Sequence, residues 1–394
     1  MNDQRAASRA YPRLPVLGWS AFSGERDAPV PGVLNARYRR HTISGRAAIA
    51  LALQVVGARP GEKVLVPTYH CTTMIAPVVQ ADLQPVFYPV TARGGANLDW
   101  LQRADMAGVR VMLATHYFGL PQPMRAIREI CDARGIALIE DCAHAFFGSS
   151  DGRPVGSWGN VAIASLTKFF PVPEGGLIAS MTSQLDELEL TGRSWRDEIK
   201  AAADAVEVGA MHGNFHGLNS LLGGIFAMKH WLRGSPRISA GAAPAGVNGA
   251  DDSAMHRVQQ RLLSSAKPAY AARWIADGVH QQRIVERRRR NYLELARRLA
   301  GMAGARVLQA ELPGDAVPYV FPLYVNNPAA SYHELRATGI PIFRWDEVWP
   351  GTPVIEGDHG LAWSTGVFQL GCHQDLSPDD LEAIAATVRE TVRT

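Results

Sequence analysis

Residues 44–141 alternate apolar segments of two different periods, and that alternation constrains the fold more than any other feature of the chain. Residues 46–56 (RAAIALALQVV) carry apolar side chains at helical spacing and close at Gly57, a residue suited to a helix C-terminus. Residues 63–66 form a short apolar strand stopped by Pro67. A helix-like stretch at 73–80, strands at 85–90 and 109–115, a helix at 121–133 and a strand at 136–139 follow, the last running directly into Glu140 and Asp141. Apolar strands separated by helices predict an α/β fold with a mostly parallel sheet covered on both faces.

Beyond residue 180 the rhythm changes to long helical stretches at 185–206 and 255–303. Between them, residues 233–253 are rich in Gly, Ala, Ser and Pro and read as a mobile loop or lid. Segments 317–325, 332–337, 341–343 and 381–392 suggest a small C-terminal α+β domain. With 394 residues the chain suits one large domain and a smaller one. The expected division is an N-terminal arm at 1–40, a large α/β domain at 41–270 and a small domain at 271–394.

Forty basic against 37 acidic residues leave a net charge of +3, so charge makes no case for nucleic acid or an anionic membrane as partner. The arginine run 287–290 reads as a solvated helix face. Cys71, Cys131, Cys142 and Cys372 form no CxxC pair, which favours a reducing compartment. The first residues carry charges and prolines where a signal peptide has an apolar run, and no stretch reaches the roughly 18–20 apolar residues of a membrane span. A cytoplasmic location is expected.

Three motifs carry chemistry. Ser44-Gly45-Arg46-Ala47 opens a helix, whose unpaired N–H groups and dipole suit a phosphate; the plainer reading is a serine N-cap. The segment ALIEDCAHA delivers Asp141 to a strand's carboxyl end, where open α/β sheets bind ligands, with His144 three residues on; a helix cap and a buried histidine are the alternatives. In VAIASLTKFFPVPEGG, Lys168 stands among apolar and aromatic residues, in a chain with only five lysines beside 35 arginines. Desolvation frees the lone pair of such an amine for a carbonyl, unless the side chain snorkels to solvent. Ser165, three residues earlier, offers a hydroxyl to a phosphate.

Together these fit pyridoxal phosphate. That cofactor needs an amine for its aldehyde, a carboxylate opposite its ring nitrogen, a phosphate cup and a residue lying on its ring. Lys168, Asp141, residues 44–47 and the triplet Tyr69-His70-Cys71 offer all four, and the planar His70 is the chemically favoured ring neighbour, although counting from Pro67 selects Cys71. Two other motifs compete. Residues 148–152 match the hydrolase pattern GxSxG around Ser150, but Arg153, Pro154 and Gly156 follow where a helix is needed. His70, Cys71, Cys142 and His144 have ligand types that suit zinc, although nothing in their spacing brings them together.

Through SGRAAIALAL, GEKVLVP, QPVFYPV, ATHYFGLP, IEDCAHA, GRPVGSWGN and the run from Lys168 to Glu174, the chain resembles the DegT/DnrJ/EryC1/StrS aminotransferases of pyridoxal-phosphate fold type I. The likeness covers about 44–180 and continues more faintly in ERRRRNYLELARRL and LGCHQDLSPDDLEAI. It implies that Lys168 forms the Schiff base, that Asp141 pairs with the pyridine nitrogen and that His144 faces the cofactor. It also implies that Gly45, Arg46 and Ala47, assisted by Ser165, hold the phosphate. Arg46 stands where the family has Thr or Ser, and no clean copy of the family's GxNxRM segment is present, Gly217-Leu218-Asn219 being a remnant without the arginine. The resemblance further implies a homodimer that moves an amino group from glutamate or glutamine to a keto or aldehyde acceptor, a nucleotide-linked sugar or an intermediate of secondary metabolism. Lyase, epimerase or dehydratase chemistry, or a non-catalytic cofactor-binding regulator, are the alternatives.

Overall fold

A computed structural model of the chain describes residues 11–23, 30–233 and 265–392. Apart from Arg233, the expected loop at 233–253 lies outside the described residues.

In chain order, β1 (Tyr38–Thr42), β2 (Lys63–Pro67), β3 (Gln84–Tyr88), β4 (Val109–Thr115) and β5 (Ala137–Asp141) are followed by β6 (Ser149–Ser150) and β7 (Arg153–Pro154), which pair only with each other. With β8 (Val161–Ser165) and β9 (Gly176–Ser180), the first five strands make a seven-stranded sheet in the order β1-β9-β8-β5-β4-β2-β3. Strands β3, β2, β4, β5 and β8 run parallel, and β9 is antiparallel to both its neighbours. Strand alternation sorts the core. Val64, Val66, Val111, Leu113 and Ile139 join one cluster with the helix Gly45–Val55, whereas Leu65, Met112, Ala114 and Leu138 pack on the helix Met124–Ala133 on the other face. Both faces are therefore covered, as the unbroken apolar strands predict.

A second sheet, β10 (Ala305–Val307), β11 (Val320–Val325), β12 (Ile342–Phe343) and β13 (Val367–Gly371), is antiparallel throughout, in the order β10-β11-β13-β12. It shares a core with the helices Gln281–Leu299 and Pro378–Thr391.

Several boundaries differ from expectation. The helix expected at 185–206 starts at Trp195, because Ser194 caps it by accepting the Asp197 N–H at 3.2 Å. The stretch expected at 255–303 is, where described, two helices, Tyr270–Gly278 and Gln281–Leu299, parted by the extended Val279. The GxSxG motif forms the β6–β7 ribbon instead of a nucleophile elbow, and the buried Ser150 hydroxyl is spent on the Gln122 carbonyl at 2.6 Å. Among the described residues, no helix is long and apolar enough to cross a membrane.

Candidate active site

Parallel strands present their carboxyl ends on one edge of the sheet, and the chemistry-bearing residues gather there. Consecutive residues of β5 point to opposite faces, which separates the two acids. Glu140 turns away and is fully used: it accepts from His116 Nε2 at 3.0 Å and from the backbone N–H groups of Gly156, Trp158 and Gly159 at 2.7, 2.8 and 3.1 Å. These bonds outweigh the cost of its burial and hold its carboxyl below the usual carboxylate range. Asp141 accepts from the Ala143 N–H at 2.8 Å and from the Thr115 hydroxyl at 3.4 Å. Burial raises its pKa, against the pull of that N–H and of the Lys168 charge. A cation would be welcome beside it.

Lys168 follows β8 in a tight turn, Leu166 accepting from both the Phe169 and Phe170 N–H groups. The buried Arg288 grips this turn from the helix Gln281–Leu299. It donates to Lys168 O at 2.6 Å, Pro318 O at 3.1 Å, Tyr319 O at 3.0 Å and Gln374 Oε1 at 2.8 Å, and lies 4.4 Å over the Phe169 ring. Gln374 in turn donates to Phe169 O. The expectation that residues 287–290 form a solvated face therefore fails at Arg288, which faces inward one turn after the buried Ile284. Lys168 Nζ makes no hydrogen bond or ion pair among the described residues. Its contact is the Tyr319 ring, 5.3 Å away. Burial pulls the amine below its ordinary range; Cys71 and Asp141 oppose that shift and the Arg46 charge adds to it.

The helix Gly45–Val55 begins beside this turn. Ser44 caps it, accepting from the Ala47 N–H at 3.1 Å. Gly176 of β9 lets the helix start press against the sheet: a Cβ there would overlap the Ser44 carbonyl and sit 2.7 Å from Gly45 N. Ser165 lies next to Gly45 and shares a hydrogen bond with Thr167 at 3.2 Å. Arg46 is half-buried, which lowers its pKa, and has no acid or hydrogen-bond partner among the described residues.

Aromatic rings line the remaining wall. His144 accepts from the Phe118 N–H at 3.4 Å, and its ring lies 4.5 Å from Tyr319 and 4.9 Å from Trp345. Burial, then the Lys168 charge, hold it well below its ordinary pKa, so the imidazole is neutral. Tyr69 is 4.9 Å from Trp345 and accepts at its hydroxyl from Gln369 at 3.2 Å.

His70 points elsewhere. Its Nδ1 bonds Pro67 O at 3.0 Å, its Nε2 accepts from the Trp349 N–H at 2.9 Å, and its ring packs near Phe87. Both nitrogens are committed, so the ring is not presented to Lys168. Cys71 is the residue of that triplet that lies within electrostatic reach of both Lys168 and Arg46. Nor do the four residues considered for zinc converge. The group of potential ligands found among the described residues is His116, Glu140 and Cys142, whose carboxylate is already consumed. The roles of Arg288, Gln374 and Tyr319 were not read from the sequence, because each arrives from the C-terminal third and acts on residues far away along the chain.

Three groups on one sheet edge thus stand without a salt-bridge partner among the described residues: an amine, a carboxyl lifted by burial and a guanidinium at a helix start. An aldehyde, a protonated ring nitrogen and a phosphate answer them, and pyridoxal phosphate carries all three. The donor set fits that cofactor.

Residues 33–198 match the sequence profile of the DegT/DnrJ/EryC1/StrS aminotransferase family. A GDP-perosamine synthase of Vibrio cholerae is 28% identical over 150 residues, 37% of this chain and 41% of that protein. A dTDP-4-dehydro-2,3,6-trideoxy-D-glucose 4-aminotransferase of Saccharopolyspora spinosa is 31% identical over 145 residues, 36% and 38% of the two chains. The chain thus spans less than half the length of these curated relatives. Among solved structures, a DegT DnrJ EryC1 StrS aminotransferase from Brucella abortus superposes with a TM-score of 0.60 at 17% identity, covering 92% of this chain and 87% of that one. A GDP-4-keto-6-deoxymannose-3-dehydratase solved with PLP and glutamate gives 0.59 at 15% identity, covering 92% and 89%. The fold is that of the fold type I aminotransferases, and residues 33–198, less than half of the chain, are similar to the DegT/DnrJ/EryC1/StrS aminotransferase family.

Proposed function

We propose that this chain is a pyridoxal-phosphate aminotransferase that takes an amino group from glutamate or glutamine and delivers it to the carbonyl of a sugar or sugar-like ring. The observation that carries the reading is the trio Lys168, Asp141 and Arg46 on the carboxyl edge of one sheet, none of them in a salt bridge among the described residues. In this reading Lys168 holds the cofactor's aldehyde carbon and Asp141 its ring nitrogen. Gly45, Arg46, Ala47 and Ser165 hold the phosphate, His144 stands at the ring's side, and Cys71 takes the ring-face position in place of His70. When bound, the cofactor supplies an electron-accepting ring and a carbonyl that exchanges one amine for another.

The chain's own groups do the rest. A neutral Lys168 Nζ carries a proton to and from the substrate carbon that bears the amine. Asp141, kept anionic by a cation on the ring nitrogen, keeps that nitrogen protonated. His144, uncharged, orients polar groups without competing for the phosphate. Tyr69, Tyr117 and Phe118 exclude water, all three being buried. Relatives that act on dTDP-, UDP- and GDP-linked sugars, and on scyllo-inosose derivatives, support a ring acceptor.

The same reading includes a cytoplasmic homodimer divided at about 40 and 270. The two sheets with their separate cores support the division. An apolar face with Leu221, Ile225, Met228 and Trp231 all exposed supports self-association. The test is an absorbance spectrum of the chain with pyridoxal phosphate, before and after glutamate. A visible band that bleaches as 2-oxoglutarate forms, and fails to form in Lys168→Ala, is expected. A wild-type spectrum that is the sum of protein and free cofactor refutes the proposal, and an acceptor that loses a hydroxyl as water and keeps no nitrogen, the donor's amine leaving as ammonia, points to the dehydratase alternative.

A further inference from the structure

From the placement of one indole ring we infer that Trp345 is the residue that selects the acceptor, favouring one with a saturated six-membered ring; this rests on the aminotransferase reading. Trp345 lies just beyond β12, on a segment that leaves the second sheet and crosses to the carboxyl edge of the first. The crossing is fastened at two points. The Trp349 N–H donates to His70 Nε2 at 2.9 Å. Asp358 Oδ1 accepts from the Thr68 hydroxyl at 2.7 Å and from the Val90 and Gly360 N–H groups at 2.8 and 3.0 Å. Both anchors are loop residues at the ends of β2 and β3, so the strap is registered against the same edge that bears Asp141.

The residues flanking the indole are held away from the site. Arg344 pairs with Asp346 at 2.6 Å and lies 4.1 Å over the Tyr332 ring, in the second core. Trp345 alone turns inward, 4.9 Å from Tyr69, 4.9 Å from His144 and 6.4 Å from Tyr117. Its neighbour His144 is 4.5 Å from Tyr319, the ring that touches Lys168 Nζ. The indole therefore stands two rings from the reacting amine, on a wall built of aromatic rings.

An aromatic face carries negative potential and attracts the polarised C–H groups of a pyranose or cyclitol face, while giving nothing to a carboxylate. Such a wall gains from a sugar ring and is indifferent to an amino-acid donor or a two-carbon aldehyde. Trp345 is thus a specificity-determining residue, and His70, which the sequence singled out for the cofactor, is a positioning residue that acts through the strap.

The experiment uses the cofactor-loaded full chain as wild type, Trp345→Phe, Trp345→Ala and His70→Ala. Binding of dTDP-glucose, which has no carbonyl to react, is measured by calorimetry, and kcat/KM is measured for a dTDP-4-ketohexose and for glycolaldehyde. Expected is at least a tenfold loss of dTDP-glucose affinity in Trp345→Ala, matched by a rise in KM for the ketohexose, with Trp345→Phe within threefold of wild type. The ratio of ketohexose to glycolaldehyde turnover falls tenfold in Trp345→Ala, and His70→Ala moves it in the same direction. Equal losses on both acceptors, unchanged dTDP-glucose affinity, or no binding to the wild type overturn the inference. Bleaching of the wild-type band by glutamate is scored separately, so failure of the aminotransferase reading is told apart from failure of this one.

Discussion

Arg288→Ala is the perturbation whose cost follows most directly from the geometry. The guanidinium is fully buried, and burial lowers its pKa to about 10, so it remains charged at neutral pH. Truncation strands four acceptors, the carbonyls of Lys168, Pro318 and Tyr319 and the Gln374 amide oxygen. Each buried acceptor left unpaired costs about 1–3 kcal/mol, a gross loss of roughly 4–12 kcal/mol. Relief from burying a cation returns several kcal/mol, so the net destabilisation is about 3–5 kcal/mol, the upper end expected when a buried hydrogen-bond network is broken. Urea unfolding followed by tryptophan fluorescence measures it. Arg288→Lys keeps the charge but offers one point where the fork reached three segments, so less than half of the loss is restored. Because one stranded carbonyl belongs to Lys168 itself, the glutamate half-reaction slows even under conditions where the variant is folded. A midpoint for Arg288→Ala within about 0.5 kcal/mol of wild type, the scatter of an ordinary surface change, refutes the bracing role.

Three further outcomes follow from the site. Asp141 has a folded pKa raised above its unfolded value, so its charge costs stability as pH rises through that window; below the ordinary carboxylate pKa of about 4 the cost is absent. Asp141→Asn without cofactor is therefore more stable than wild type at neutral pH, by an amount that shrinks toward pH ~4 in thermal melts, while cofactor affinity falls at least tenfold. Lys168 is shifted downward, so the unfolded chain binds the extra proton between the folded value and about 10.5; Lys168→Met raises the cofactor-free thermal midpoint at neutral pH, the gain fading as pH climbs toward that limit. Gly176→Ala drives a methyl into the Ser44 carbonyl and displaces the helix start, costing roughly 1–3 kcal/mol in unfolding and weakening phosphate retention measured by cofactor dialysis.

What could be read from the sequence was local. Strand β5 announces itself as an apolar run ending in two acids, and strand alternation then decides which acid reaches the site. Lys168 stood out because lysine is rare in this chain and its surroundings are apolar. Arg288 was hidden by its type. Its position continues the inward row Ile284, Tyr292, Leu295 and Leu299 at helical spacing, but a cation in a run of four arginines reads as solvated. His70 was hidden by distance: its Nε2 partner, Trp349, lies 279 residues away, and no local pattern reports such a bond. The helix expected at 185 failed for a simpler reason, since the apolar residues before Ser194 pack as irregular chain and the cap, not hydrophobicity, sets the start.

The two halves of the chain contribute to the site in different currencies. The first half supplies the groups that match the cofactor, and the family match, residues 33–198, falls there. The second half supplies Arg288, Gln374, Tyr319 and Trp345, and it is recognisable through fold, with 90% or more of the chain superposing on structures only 15–20% identical. Holding such a cofactor demands fixed donor types at fixed places. Gripping a turn through backbone carbonyls, as Arg288 does, demands only that some donor arrive, and lining an acceptor's wall demands only a surface of the right shape and polarity. On the aminotransferase reading, substitutions in the C-terminal third therefore change which carbonyl is accepted while the amine, the carboxylate and the helix start stay where they are.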